Sequence, residues 1–275
     1  MSALKDNDLP IGVFDSGVGG LTVLQAIRAL LPTENLLYLG DTARLPYGTK
    51  SPASITRYAK QATAMLQEKR IKLLVVACNT ASAVALDALR EHMRPLPVIG
   101  VVEPGASAAV TARPGGAHLV LATEATVGLE AYRKAIEFLD PEATVREQAC
   151  ELLVALAEEG WTQGDIATSI IRRYLREAGG NGFRPDSIIL GCTHFPLLRE
   201  AIQVAAPAGV LLVDSASTTA TMVAGVLQSH GIGRDSDDTG GMHFLATDGA
   251  TRFARVGAQF LGQPLSRSDI ELVDL

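Results

Sequence analysis

The sequence predicts an α/β protein in which parallel sheets are covered by helices. Two observations carry this reading. Short aliphatic runs alternate with helical patterns along all 275 residues, as expected of strands joined by helical crossovers. One unit is also written twice, as Leu73-Leu74-Val75-Val76-Ala77-Cys78-Asn79-Thr80 and as Ser187-Ile188-Ile189-Leu190-Gly191-Cys192-Thr193-His194. Each copy is a buried-strand pattern that ends in a small residue, a cysteine and a polar pair opening a helix.

The elements follow in order. Residues 11–14 read as a strand, 20–31 as a helix and 36–39 as a strand. Residues 54–69 place Ile55, Tyr58, Ala59, Ala62, Met65 and Leu66 on one helical stripe. Strand 73–77, helix 80–93 and strand 97–101 complete a first series. The second series runs strand 117–122, helix 127–139, strand 144–148, helices 152–159 and 164–178, strand 187–190, helix 195–205, strand 210–213 and helix 215–229. The polar stretch 231–241 reads as a linker, followed by strand 244–246 and helix 250–261. Ligands of open α/β sheets bind outside the carboxyl ends of the strands. The residues there are Asp15-Ser16, Asp41-Thr42, Cys78-Asn79-Thr80, Glu103, 123–126, Cys192-Thr193-His194 and Asp214-Ser215, mostly thiols, carboxylates and small hydrogen-bonding groups.

Composition narrows the class. A chain 47% hydrophobic and 20% charged matches an ordinary globular enzyme. The formal net charge of −6 argues against electrostatic binding to nucleic acid or to a membrane surface. A small anionic substrate remains compatible, because N–H groups at helix starts bind anions locally. No stretch of the sequence approaches a membrane span. The three cysteines, Cys78, Cys150 and Cys192, lack the paired spacing of a disulfide framework or a zinc site. Residues 1–9 carry no apolar signal core. The expected compartment is the cytoplasm, where thiols stay reduced.

The motifs point to acid–base chemistry. Phe14-Asp15-Ser16-Gly17-Val18-Gly19-Gly20 is a glycine-rich turn, but a dinucleotide fingerprint would need glycine where Thr22 stands, and Asp15 would repel a pyrophosphate. The glycines instead let the backbone approach a ligand faced by Asp15 and Ser16. The loop Arg44-Leu45-Pro46-Tyr47-Gly48-Thr49-Lys50 is rich in turn formers and suits a substrate wall. A thiol at a strand end beside a helix N-terminus sits where thiolate is favoured. A lone cysteine is more often a small buried hydrophobe, and Cys150 fits that description. Cys78 and Cys192 share one context, which suggests two thiols on two sides of one substrate. Cys192-Thr193-His194 has no second ligand cluster for a metal. A Cys–His–Asp hydrolase would leave one of the matched thiols unexplained. Inversion of a stereocentre by proton exchange needs a base on one face of the carbon and an acid on the other, with roles exchanged in the reverse direction. A free thiol, with a pKa of about 8.5, is only a few per cent thiolate near neutrality, so neighbours must assist. His92, His118, His230 and His243 carry no motif and read as exposed or structural, and Glu103 reads as a cap for the next helix.

Taken together, these motifs resemble those of the glutamate racemase family. The matching stretches are 14–21, Gly40-Asp41 with Pro46-Tyr47-Gly48, 77–82, 102–106, Ala122-Thr123 with Thr126, 190–198 and 213–216. The resemblance implies two parallel-sheet α/β domains facing each other with pseudo-twofold symmetry and the active site in the cleft between them. Chain order assigns 1–98 and 210–275 to the first domain, with Cys78, and 99–209 to the second, with Cys192. The implied reaction is cofactor-free interconversion of L- and D-glutamate, supplying D-glutamate for peptidoglycan, with no metal. By resemblance, Cys78 acts on D-glutamate with Asp15 as its assistant, and Cys192 acts on L-glutamate with His194. Substrate contacts are expected from Asp15, Ser16, Pro46, Tyr47, Gly48, Asn79, Thr80, Thr123, Thr126, Thr193 and His194. Alternatives are a racemase for aspartate or another acidic amino acid, and a regulatory protein that contacts DNA gyrase. Glutamate is the expected small-molecule partner and a homodimer the expected assembly, with no direct nucleic-acid or membrane contact. The chain departs from the family at Phe195, where relatives carry Tyr, and at 150–155, which lacks both prolines of the family pattern. Glu158, an acidic position near the site in relatives, follows that segment.

Overall fold

The computed structural model describes residues 6–275, so positions 1–5 of the N-terminal stretch read above lie outside the described residues. The elements are β1 (Ile11–Asp15), α1 (Leu21–Leu30), β2 (Leu36–Gly40), α2 (Pro52–Glu68), β3 (Leu73–Val76), α3 (Asn79–His92), β4 (Val98–Gly100) and α4 (Val102–Ala112). There follow β5 (Ala117–Ala122), α5 (Glu124–Gly128), α6 (Ala131–Leu139), β6 (Thr144–Ala149), α7 (Glu151–Glu158), α8 (Gly164–Ala178), β7 (Ser187–Gly191) and α9 (Arg199–Ala205). The chain ends with β8 (Leu211–Asp214), α10 (Ser215–His230), β9 (Met242–Ala246), α11 (Ala250–Leu261) and β10 (Ile270–Leu272).

The aliphatic runs become strands because both of their faces are covered. Ile11, Val13, Phe14 and Leu73 to Val76 are fully buried, as in parallel sheets flanked by helices. Helix ends follow side-chain chemistry. Ser51 caps α2 by accepting from the Ser54 N–H, with Pro52 in the first turn. Asp214 caps α10 through the Ala216 N–H, and Gly231, left-handed at φ 65°, ends it. One apolar cluster runs through both halves of the chain, with Val13 and Leu24 in the same body as Leu119, Leu190 and Val223.

The strands form two parallel sheets, ordered β10-β9-β2-β1-β3-β4 and β6-β5-β7-β8. Within them β2-β1-β3-β4 and β6-β5-β7-β8 share one connectivity. In each, the first strand in chain order is central, the second lies on one side, and the third and fourth on the other. The duplicated cysteine unit therefore occupies equivalent positions, after β3 and after β7. Both positions adjoin the point where strand order reverses, the location that binds ligands in open α/β sheets.

Four expectations change. Strand β8 pairs with β7, Ser187 opposite Leu211 through Leu190 opposite Asp214, so 211–214 joins the second sheet rather than the first. The short connection from α9 adds this strand beside β7 just as β4 is added beside β3, and β4, at 98–100, pairs with β3 across the expected boundary at 98/99. The helix expected over 127–139 is two helices, broken at Glu130, whose φ is +54°. The helix expected over 195–205 opens as a 3-10 turn over Phe195–Leu198 before α9. Strand β10 was not read from the sequence: it is three residues long, with only Ile270 buried, too short for a periodic signal.

Candidate active site

Cys78 follows β3 and is the N-cap of α3, its Sγ accepting from the Ala81 N–H at 3.4 Å. Its thiol donates to Ser16 Oγ at 3.5 Å. Ser16 and Asp15 come from the glycine-rich turn after β1. Asp15 is 1% exposed; one of its oxygens accepts from the Gly17 N–H at 2.9 Å and the other, Oδ1, is buried without a partner. Gly20 is required here, because a Cβ on it would lie 2.6 Å from the Asp15 side chain.

Cys192 follows β7 and its setting is different. The His194 Nδ1 lies 3.8 Å from Cys192 Sγ and 3.5 Å from Thr193 Oγ1. His194 Nε2 is paired with Glu158 Oε1 at 3.2 Å, and Arg252 Nη2 donates to Glu158 Oε2 at 2.8 Å. The Phe260 ring meets the imidazole edge to face at 5.0 Å. Thr22 on α1 donates to the Thr193 carbonyl at 3.0 Å, tying the two halves together. Gly19 permits this approach: a Cβ there would lie 2.3 Å from Thr193 Oγ1 and 2.6 Å from the imidazole.

The two thiols line one cavity, which leaves ≈ 70 Å³ for the centres of water-sized spheres. Of the sequence-derived residues, Ser16, Pro46, Tyr47, Gly48, Cys78, Asn79, Thr80, Thr123, Cys192, Thr193 and His194 form its wall. Asp15 lies behind the wall. Thr126 is also set back, hydrogen-bonded to Thr123 at 3.0 Å and to Thr80 at 3.4 Å. Thr80 and Thr123 are themselves 3.1 Å apart, so three hydroxyls join α3 to the segment after β5. Tyr47 is 1% exposed and donates to Asp41 at 2.6 Å, and Asp41 also accepts from Thr247 and Arg44. The 44–50 loop is therefore a pinned wall.

Electrostatics separate the two thiols. Burial, reinforced by the Asp15 charge, pushes Cys78 up to about 12. Burial likewise raises Asp15, against the opposing pull of the His194 charge. At His194 burial disfavours the imidazolium, but hydrogen bonds and charges from Cys192 and Glu158 outweigh it and bring the group to about 10. Glu158 is lowered, chiefly by its hydrogen bond to His194.

Three further residues line the cavity: Thr49, Glu151 and Val154. Glu151 and Val154 lie in the 150–155 segment that departs from the family prolines. Their helical spacing, three apart in α7, was the only available signal. Tyr132, bonded to Asn79 at 3.1 Å, also escaped sequence reading because it lies in the first turn of α6 without a motif. Cys150 is fully buried and outside the cavity. Glu103, in the first turn of α4, makes two bonds to Arg90, at 2.9 and 2.7 Å. No helix among the described residues is long and apolar enough to cross a membrane. No group of three or more potential metal-binding side chains occurs among them.

Paired strand-end thiols in twin parallel sheets place the protein among α/β racemases, and sequence comparison agrees. The model of the family described as Asp/Glu/Hydantoin racemase matches residues 11–223. The chain is 48% identical over 258 residues to the glutamate racemase of Geobacter metallireducens, 93% of each chain. A solved glutamate racemase from Francisella tularensis in complex with D-glutamate superposes with a TM-score of 0.89 at 34% identity, covering 97% of this chain and 98% of that one. One from Thermus thermophilus, in complex with beta-chloro-D-alanine, gives 0.88 at 41% identity, covering 98% and 99%. The chain belongs to this racemase family, on the glutamate racemase branch.

Proposed function

We propose that the protein interconverts L- and D-glutamate by moving a proton between Cα and the two thiols. The observation that carries this reading is that Cys78 and Cys192, from equivalent strand ends of different sheets, line one cavity. His194 lies beside Cys192, and Asp15 is buried behind Ser16, the partner of Cys78; these are the assistants we assign to the two thiols. With D-glutamate, the Cys78 thiolate takes the proton from Cα. The electron pair left on Cα then takes a proton from the Cys192 thiol on the opposite face, and C–H is restored with inverted configuration. The proton now rests on the other sulfur, so the reverse reaction begins with Cys192 as base. The resting Cys78 is mostly thiol, since burial and Asp15 push it up to about 12. The substrate ammonium, entering beside Cys78, supplies the positive charge that favours the thiolate. On the other side His194, at about 10, holds an imidazolium toward Cys192 at neutral pH.

Carbanion formation at Cα is the difficult step, and fixed donors lower it most. The N–H groups at the start of α3, with Ser16, Thr80 and Thr193, suit the two carboxylates of glutamate. Tyr47, pinned by Asp41, closes the wall and keeps water out of the proton transfer. We further propose a cytoplasmic homodimer that supplies D-glutamate for peptidoglycan. Sedimentation of the purified protein tests the dimer.

The reading is tested in deuterated solvent. Each glutamate enantiomer should acquire deuterium at Cα as circular dichroism reports racemisation. Turnover of aspartate without glutamate would replace the substrate, and absence of Cα exchange would remove the mechanism.

A further inference from the structure

Asn79 lines the cavity, but its side chain is held from behind by Tyr132, a residue that does not. The Asn79 Nδ2 donates to Tyr132 Oη at 3.1 Å, while Asn79 Oδ1 is buried and has no partner. Tyr132 projects from α6 and is fully buried. Two glycines give its ring room: a Cβ on Gly105 would lie 3.2 Å from the ring, and one on Gly191 3.1 Å. On its far side the Ser215 hydroxyl adjoins the phenol, and Ser215 Oγ donates to the Leu190 carbonyl at 3.1 Å.

These bonds have one consistent polarity. A carbonyl oxygen only accepts, so the Ser215 proton is committed to Leu190. The Asn79 amide presents N–H to Tyr132 Oη, which accepts, and the phenol proton is left for the Ser215 side. The carboxamide is thereby held with its oxygen unpartnered, on a residue that lines the cavity. A flipped amide would offer N–H to an ammonium group and repel it.

We propose that Tyr132 is a positioning residue that holds the Asn79 carboxamide with Oδ1 toward the ammonium group of the bound amino acid. The proposal rests on the functional reading above. Tyr132→Phe keeps the ring between its two glycines and removes one oxygen. It should raise KM for both glutamate enantiomers about ten-fold, as for the loss of one hydrogen bond to a charged group, with kcat changed far less. Asn79→Ala should raise KM comparably, and adding Tyr132→Phe to Asn79→Ala should cost nothing more, since the two act as one unit. Losses that multiply in the double variant, or an unchanged KM in Tyr132→Phe, overturn the proposal. If Tyr132→Phe does not fold, Ser215→Ala, which removes the group that sets the polarity, takes its place in the same cycle. A readout independent of turnover is hydrogen exchange of the Asn79 side-chain N–H₂, identified by its loss in Asn79→Ala. It should be protected in the wild type and exposed to exchange in Tyr132→Phe. Wild-type protein that leaves glutamate unchanged would overturn the functional reading, and unchanged protection in Tyr132→Phe would separately overturn the hold on the amide.

Discussion

Cys78 and Cys192 end equivalent strands of two similarly connected sheets, yet their neighbours carry opposite charge. Cys78 caps a fourteen-residue helix and has a buried carboxylate, Asp15, behind it. Cys192 precedes a four-residue 3-10 turn and has an imidazole, braced by Glu158 and Arg252, beside it. A reaction that runs both ways needs two groups of the same chemical type, and the thiols satisfy that. Their surroundings have no such constraint. The helix start and the substrate ammonium favour thiolate at Cys78, whereas at Cys192 a resident imidazolium lies beside the sulfur. The duplication thus preserves the position of the sulfur atoms and lets the means of activating them diverge.

The comparison breaks first at the sulfur atoms. Cys78→Ser and Cys192→Ser should each lower racemisation by about 10³-fold or more, since each removes one acid–base partner. Near-normal turnover in either variant would show that a single base serves both faces. Replacing the assistants should cost less. Asp15→Asn and His194→Asn are expected to lower turnover about 10²-fold. Enantiomers have equal free energy, so kcat/KM must fall equally in both directions in each variant. The separate kcat values need not. Asp15→Asn should slow the D-to-L direction more and His194→Asn the L-to-D direction, with KM compensating. Progress curves from each enantiomer check this, and equal kcat losses in both directions would mean that the assistants are not divided between the thiols.

Much of this site was legible before any coordinates. The strand-end rule located Asp15, Ser16, Cys78, Thr123 and Cys192, because an aliphatic run followed by a small polar group marks where a parallel strand stops. What the pattern missed lies where side chains reach across the fold. Tyr132 meets Asn79 over 53 residues of sequence and Arg252 meets Glu158 over 94. No local period encodes such pairs. The misplaced strand β8 was recoverable in principle. If the cysteine unit is duplicated, the strand that follows its second copy should join the second sheet, as β4 joins the first. Grouping 211–214 with the helix after it obscured that symmetry. The 3-10 turn after Cys192 was hidden because Phe195-Pro196-Leu197-Leu198 has a helix-like apolar content, and Pro196 suits the first turn of an α-helix as well as a 3-10 turn.

A charge-removing variant sharpens the electrostatic half of the comparison. Glu158→Gln keeps the shape beside His194 and removes the charge. Glu158 helps hold His194 at about 10, so its neutralisation should lower that pKa. The alkaline limb of kcat/KM that reports His194 should then move to lower pH, with turnover near neutrality falling about ten-fold. Measured pH profiles of the two proteins decide it. An unmoved limb would show that Cys192 alone sustains the imidazolium and that Glu158 only packs against it.

The smallest expected effect is on stability, and it separates the two halves by pH window. His194 rises from 6.5 to about 10 on folding, so its stabilising contribution is complete below about 6.5 and is lost as pH rises through 10. Cys78 rises from 9.0 to about 12. Above pH 9 the unfolded thiol releases its proton while the folded one retains it, so stability falls from about 9 to about 12. His194→Asn should flatten the dependence of the urea midpoint on pH in the lower window, and Cys78→Ser in the upper one. Cys150, also raised by burial, leaves a residual alkaline slope in both variants. If Cys78→Ser left the upper window unchanged, the Cys78 thiol would not be the buried neutral group that sets its half of the site apart from the imidazolium beside Cys192.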